Sequence, residues 1–335
     1  MTTNTRTRPV GTGVIIPVCT PLGADDDIDT ASLRRHLDHL IAGGVHGVFV
    51  LGTSGEFGFL TDRQRELVVR TTVDQVAGRV PVLVGISDMA SERAIEQAHL
   101  LIPLGADAVV ATAPFFAATG HGEMLTHFRR IKQAAGDVPV YGYENPPRVN
   151  DTSIPVDVVL DLAADGTFAG FKDSSGDLEY LRAILAGRAA RRLSNFHVLS
   201  GSETDALAAL RAGADGLVPG LGNIDPAGYV SLMEHALCDG DRAQKEQERL
   251  QRLFSIVEIP THTPMGGSSR ALGAFKTAIK QLGHFADDRC APPSVLFDDA
   301  DRSVVAEILA AHGPSAGLTS GDSWSDARSA STERS

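Results

Sequence analysis

The chain has 335 residues, 43% of them hydrophobic, and a formal charge of -12. That length can bury a sizeable core, as one large α/β unit or two smaller ones. The acidic balance excludes a phosphate-backbone binder and a polybasic membrane anchor. There is no long apolar span and no basic-then-apolar leader, so a cytoplasmic protein without membrane or nucleic-acid partners is expected. Cys19, Cys238 and Cys290 are far apart and odd in number. They fit a reducing compartment, not a disulfide framework or a CxxC metal site.

In chain order, residues 1–9 are polar and rich in Thr and Arg, and are expected to be disordered. From residue 10 one pattern recurs. A short apolar run, often opened by Gly or Pro, precedes a longer amphipathic segment. The runs are GVIIPV (13–18), GVFVL (47–51), VPVLVG (80–85), ADAVVAT (106–112), VPVYGY (138–143), TFAGFK (167–172), FHVLSG (196–201) and ADGLVPG (214–220). The spacing of most of them, about thirty residues, suits one strand-plus-helix unit. The segment from Thr30 sets Leu33, Leu37, Leu40 and Ile41 on one helical face and ends in glycines. The segment after Leu60 starts with a Thr/Asp cap.

Strands that are apolar throughout, each followed by a helix, predict a parallel sheet covered by helices. Eight of them predict a closed (β/α)8 TIM barrel over 10–225. An open dinucleotide-binding sheet would want G-x-G-x-x-G after the first strand, where this chain reads CTPLGADDD. Residues 226–312 supply the last barrel helix and a C-terminal helical appendage, with helices at about 226–238, 241–257, 268–282 and 300–312. Residues 313–335, dominated by Ser, Gly, Ala and charges, are expected to be a disordered tail.

In such barrels the reactive groups project from the C-terminal strand ends. Read in order, those ends are Thr20, the run Thr53-Ser54-Gly55-Glu56, Ser87-Asp88, Phe115-Phe116, Tyr143, Lys172-Asp173, Ser200-Gly201 and Asn223. Lys172 stands apart among five lysines, because Lys132, Lys245, Lys276 and Lys280 fall in helical stretches where solvated stems are expected. Burial disfavours the charged form of an amine, and a neutral amine can attack a ketone to form a Schiff base. The alternative is a strand-end lysine that snorkels to solvent or pairs with Asp173.

Tyr143 ends the preceding strand and could shuttle a proton, or simply fill the barrel rim. Tyr141, on the same face, is assigned to packing. The turn LGTSGEFG offers Thr53, Ser54 and the Gly55 backbone as a carboxylate grip. It is not G-x-S-x-G, which disfavours a hydrolase elbow. Glu56 is expected to satisfy N–H groups at a helix start. Arg148, after two prolines, could face an anionic substrate or lie on the surface. Glu203 could accept sugar hydroxyls, although membership of the first turn of a helix is preferred. The histidines show no metal-ligand spacing and are read as structural or surface groups.

With GTSGE, YENPPR and GFKDSSGD in this order on strands two, five and six, the chain resembles the family of dihydrodipicolinate synthase and N-acetylneuraminate lyase. These are pyruvate-type class I aldolases and lyases, and the resemblance covers about residues 10–312. It implies that Lys172 is the Schiff-base lysine and that Tyr143 transfers protons. Thr53 and Ser54 match the two hydroxyl residues of the turn, here closed by Gly55, that binds the 2-oxo acid carboxylate. Arg148 matches the position that holds a second substrate's carboxylate, and Val218 an apolar residue lining the pocket. It further implies a homotetramer, a dimer of dimers, with no metal and no organic cofactor.

The departures bear on the substrate. Where the synthase pattern sends a second tyrosine across the dimer interface, this chain has Phe115 and Phe116, which cannot carry protons. The asparagine often found after the strand-five tyrosine is Glu144. The expected activity is therefore a Schiff-base lyase or aldolase joining or splitting a 2-oxo acid and an aldehyde. The alternatives are a 2-oxo-3-deoxy acid dehydratase or hydratase-aldolase, a true 4-hydroxy-tetrahydrodipicolinate synthase, a pyridoxal-phosphate enzyme, or a non-catalytic sugar-acid sensor.

Overall fold

The structure is a computed structural model in which residues 10–314 are described. The expected disordered ends, 1–9 and nearly all of 313–335, lie outside those residues. Eight strands appear where the apolar runs predict them: β1 (Gly13–Pro17), β2 (Gly47–Val50), β3 (Val82–Gly85), β4 (Ala108–Thr112), β5 (Val140–Glu144), β6 (Gly170–Asp173), β7 (His197–Ser200) and β8 (Gly216–Leu217). Each pairs in parallel with the next, and β8 closes on β1 through Gly13–Gly216 and Val14–Leu217. The result is a (β/α)8 barrel.

Helices follow the strands: α1 (Thr30–Ala42), α2 (Asp62–Val76), α3 (Ser91–Leu101), α4 (His121–Ala135), α5 (Val156–Ala164), α6 (Leu178–Ala190), α7 (Ala206–Ala212) and α8 (Pro226–His235). Their starts obey local chemistry. The Asp29 carboxylate accepts the Ser32 N–H to open α1, and Thr61 and Gln64 form a capping box on α2.

Strand alternation splits the core in two. Outward side chains pack beneath the helices. Inward ones, including Ile15, Phe49, Leu83, Val110, Tyr141, Tyr143, Leu199 and Val218, fill the barrel. Tyr141 takes the packing role expected of it, and its hydroxyl donates to the Val10 carbonyl at 2.7 Å. Its ring occupies the space above Gly170, where any Cβ would collide with it. Asn223 pins the barrel shut. Its amide donates to the Pro17 and Gly220 carbonyls, both at 2.8 Å, while its oxygen accepts the Cys19 N–H at 3.0 Å.

Three further helices follow among the described residues: α9 (Gly240–Phe254), α10 (Gly267–Gln281) and α11 (Asp299–His312). One expectation fails here. Lys276 on α10 is not a solvated stem but is fully buried. Every residue from Leu272 to Ile279 is buried, because α10 is enclosed on several sides. The Lys276 ammonium lies against the Glu56 carboxylate, also fully buried, and donates to the Arg289 carbonyl at 2.9 Å. Glu56 does stand at the start of a one-turn 3-10 helix, Phe57–Phe59, but its side chain makes no capping hydrogen bond there. Its other oxygen accepts the Ala291 N–H at 2.7 Å.

A buried charge that loses its partner is costly, whereas removing both charges is far cheaper. Lys276→Ala is expected to destabilise the protein by about 3–5 kcal/mol. The double change Lys276→Met with Glu56→Gln should recover most of that loss. Denaturant unfolding of the two variants beside the parent checks this.

Candidate active site

β5 and β6 run side by side with Tyr143 opposite Lys172 and Glu144 opposite Asp173. Tyr143 and Lys172 therefore share one face, and their neighbours share the other. The inward pair points into the barrel near its C-terminal end, and both residues are buried. The Lys172 ammonium stands 4.0 Å from the Tyr143 ring centroid and 5.3 Å from that of Phe49. This burial removes the snorkelling alternative. Pairing with Asp173 is excluded by parity, since that carboxylate faces away and accepts the Ser175 N–H at 2.8 Å.

Room for the lysine stem is made by Gly201, the first residue after β7. A Cβ there would sit 3.0 Å from Lys172 Cε and collide with Ser174 Oγ.

The turn after β2 reaches across the barrel mouth. Thr53 Oγ1 lies 3.1 Å from the Tyr143 hydroxyl. Leu51 and Glu56, which bracket the turn, both take left-handed backbone conformations, a local strain of about 1 kcal/mol or more for each. The Gly55 N–H is spent on the Gly52 carbonyl at 3.1 Å. The Ser54 hydroxyl and the N–H groups of Thr53 and Ser54 have no hydrogen-bond partner among the described residues.

A residue not anticipated from the sequence joins this group. Asn145, just past β5, is buried, and its amide nitrogen lies 2.7 Å from the Tyr143 hydroxyl and 3.3 Å from Thr53 Oγ1. The signal was available in principle. Asn145 is two residues beyond Tyr143, so strand alternation sends it inward as well. Burial alone would raise the Tyr143 phenol, but the nearby Lys172 ammonium and the hydrogen bonds shared with Thr53 and Asn145 outweigh it and hold the phenol below its usual range.

The remaining candidates scatter. Val218 lines the barrel interior, with its N–H given to the Ser200 carbonyl at 2.7 Å. Glu203 does not belong to a first helical turn, because α7 begins only at Ala206. Its carboxylate instead accepts the Gly220 N–H at 2.7 Å between the ends of β7 and β8. Burial raises its carboxyl, against the pull of the Gly220 and Leu221 N–H groups and the Lys172 charge. Arg148 is exposed and hydrogen-bonds to Ser268 at the start of α10. Phe116 is 80% exposed and does not enter the barrel; it lies beside Met89 on the rim.

Glu144 is buried on the outer face of β5 and clamps the loop after that strand. It accepts the Ser153 hydroxyl at 2.6 Å and the Ile154 N–H at 2.9 Å. Burial, helped by the neighbouring Asp173, pushes its carboxyl up to about 7 against those hydrogen bonds.

Together these features describe a parallel barrel with a sheltered amine, a phenol and a hydroxyl-bearing turn at one end. Residues 11–312 match the Dihydrodipicolinate synthetase family. The chain is 33% identical over 299 residues to an uncharacterized DapA-like lyase of Halobacterium salinarum, covering 89% of this chain and 93% of the relative. It is 31% identical over 251 residues to a 4-hydroxy-tetrahydrodipicolinate synthase of Methanothermobacter thermautotrophicus, covering 75% and 88%. Dihydrodipicolinate synthase from Bacteroides thetaiotaomicron superposes with a TM-score of 0.82 at 32% identity, covering 90% of this chain and 98% of that one. YagE, a prophage protein of the same family from E. coli K12 solved in complex with pyruvate, gives 0.82 at 26% identity, covering 90% and 99%. The chain belongs to the dihydrodipicolinate synthetase family and is a lyase of the class I, Schiff-base aldolase type. No helix among the described residues is long and apolar enough to cross a membrane.

A carboxyl that titrates at about 7 folded and 4.5 unfolded binds its proton more tightly in the native protein. Its ionisation therefore erodes stability as pH rises from 4.5 towards 7, and the loss is complete above that. Glu144→Gln, which keeps the loop clamp without the charge, is expected to stabilise the protein by on the order of 2–3 kcal/mol at pH 8 and by little at pH 5. Urea unfolding at the two pH values checks this.

Proposed function

We propose that the protein condenses Lys172 with a 2-oxo acid, either pyruvate or a 3-deoxy-2-oxo sugar acid, and makes or breaks a C–C bond to an aldehyde. The observation that carries this reading is the placement of the Lys172 amine beside the Tyr143 ring, inside a closed barrel, with Thr53 at the phenol. The neutral amine attacks the keto carbon and expels water, leaving a protonated imine. Loss of a proton from the adjacent carbon gives an enamine, the carbon nucleophile. Tyr143 protonates the alkoxide that forms when the aldehyde adds, and removes that proton in the cleavage direction. Ser54 and the Thr53–Ser54 backbone hold the substrate carboxylate, while the turn closed by Gly55 shapes their grip. Val218 lines the pocket wall, and Arg148 swings from Ser268 to meet an anionic second substrate. No metal or organic cofactor takes part in these steps.

A second reading is favoured by Glu203. Its carboxyl lies within electrostatic reach of Lys172 and is raised by burial. Such an acid is suited to protonating a departing hydroxyl, which would make the reaction a dehydration. The proposed setting is cytoplasmic, supported by three unpaired cysteines. The proposed assembly is a homotetramer, with exposed Phe59, Met89 and Phe116 on the barrel-mouth loops offering apolar area for a subunit contact. We further propose 10–225 as the barrel and 226–312 as its last helix plus the appendage.

Borohydride reduction in the presence of pyruvate is expected to add one reduced pyruvate to Lys172 and to leave Lys172→Ala unmodified. Peptide mass mapping reads the result, and an unmodified wild type at neutral pH contradicts the reading. Tyr143→Phe should still trap pyruvate but turn over sugar acids roughly 10²-fold or more slowly. Product analysis with 2-oxo-3-deoxy acids separates pyruvate release from water loss.

A further inference from the structure

Tyr143 has two polar neighbours besides Lys172, and only Thr53 was anticipated. The second, Asn145, makes the shorter contact, 2.7 Å against 3.1 Å. Its amide nitrogen also lies 3.3 Å from Thr53 Oγ1. One carboxamide edge therefore spans both hydroxyls. An N–H donated to the phenol oxygen occupies one lone pair and directs the phenol's own proton to Thr53. The Thr53 oxygen, facing two donors, must send its proton elsewhere, and the barrel mouth lies open to it.

We propose that Asn145 is a positioning residue for the proton-transferring phenol. Its amide N–H, given to the Tyr143 oxygen, orients the Tyr143–Thr53 hydrogen bonds and favours the deprotonated phenol. A donor to the charged form of an acid stabilises that form. The lowered phenol agrees with this direction. Such a donor matters because the loop after β4 ends its apolar run in Phe115 and Phe116, neither of which carries a hydroxyl. The donor used instead comes from the same subunit and the same strand end as the phenol. The proposal rests on Tyr143 acting as the proton carrier, but its geometry can be tested without a substrate.

The charged groups that bear on this phenol are few. Lys172 faces it from β6. Glu203, in the loop after β7, interacts with Lys172. Glu144 and Asp173 lie on the opposite face of the two strands, and Arg148 is turned to Ser268. Neither β2 nor the turn that follows it places a titratable group against the ring.

The chain has four tyrosines. Burial raises Tyr141, Tyr180 and Tyr229, whereas Tyr143 is lowered. The first tyrosinate absorbance to appear on alkaline titration is therefore that of Tyr143, and Tyr143→Phe should remove it. Asn145→Leu, close in shape but without the N–H, is expected to shift that titration up by about one pH unit or more. Asn145→Asp, which sets a carboxylate against the phenol, should shift it at least as far. Circular dichroism confirms folding, and if the Leu variant does not fold the Asp variant carries the test. A titration unmoved in both variants, or moved down in the Leu variant, overturns the proposal.

A second readout separates this idea from the reaction itself. Exchange of pyruvate methyl protons into D2O should show an alkaline limb displaced in the same direction as the phenol. If the wild type neither exchanges nor traps pyruvate while the phenol titration still shifts, the reaction assignment fails and only Asn145's hold on the Tyr143 phenol stands. If exchange proceeds but the phenol does not move, Asn145 fails and the reaction stands.

Discussion

The site depends on one geometric constraint, the parallel register that sets Tyr143 opposite Lys172. Strand pairing fixes their backbone separation, and alternation fixes their common direction. Neither side chain needs a flexible loop to find the other. A cation held 4.0 Å from an aromatic centroid gains some attraction from the ring face. The larger consequence is electrostatic. A positive group beside a buried phenol favours the phenolate, and it works in a region with little water to screen it. A shift of one residue in either strand would send one partner to the helix side and dissolve the site.

Because the barrel interior is packed, an inward lysine needs room that other residues give up. Gly201 yields space to the Lys172 stem, as Gly170 does for the Tyr141 ring. The outer face of the same two strands is used differently. Glu144 and Asp173 are buried there as adjacent carboxyls, and Glu144 fastens Ser153 and Ile154. The loop it fastens is the one that carries Asn145 and Arg148. One strand end thus presents a phenol and a carboxamide inward, while its outward carboxyl holds the loop that follows.

The barrel was legible because its strands are short valine-rich runs that alternate with amphipathic segments. One such segment carried a recognisable cap at Thr61, whereas the Asp29 cap of α1 is seen only in the structure. Lys172 and Tyr143 could be placed because both close an apolar run. The misreadings have a common origin. Lys276 sits on a segment whose apolar spacing suits a one-sided amphipathic helix, yet contacts from α11 and neighbouring turns bury its polar side as well. Its partner Glu56 is more than two hundred residues away, a separation that periodicity cannot bridge. Glu203 was drawn into a helix by the preference of acids for first turns, but the chain makes a further loop before α7. Asn145 lies beyond the strand end, and there the inward parity was not carried forward.

The Lys276–Glu56 pair also explains what the appendage is for. Glu56 closes the GTSGE turn, whose backbone strain at Leu51 and Glu56 would favour relaxation if the turn stood alone. Its carboxylate is gripped from two directions, by the Lys276 ammonium on α10 and by the Ala291 N–H beyond that helix. Both grips come from segments that follow the eighth barrel unit. A barrel lacking them would lose both fastenings of Glu56 and leave the strained turn free to relax. The same α10 accepts Arg148 at its first turn through Ser268. The C-terminal helices therefore brace two of the barrel-mouth loops at once. That makes them part of the machinery that holds the site in shape, and not a separate layer added to a finished barrel.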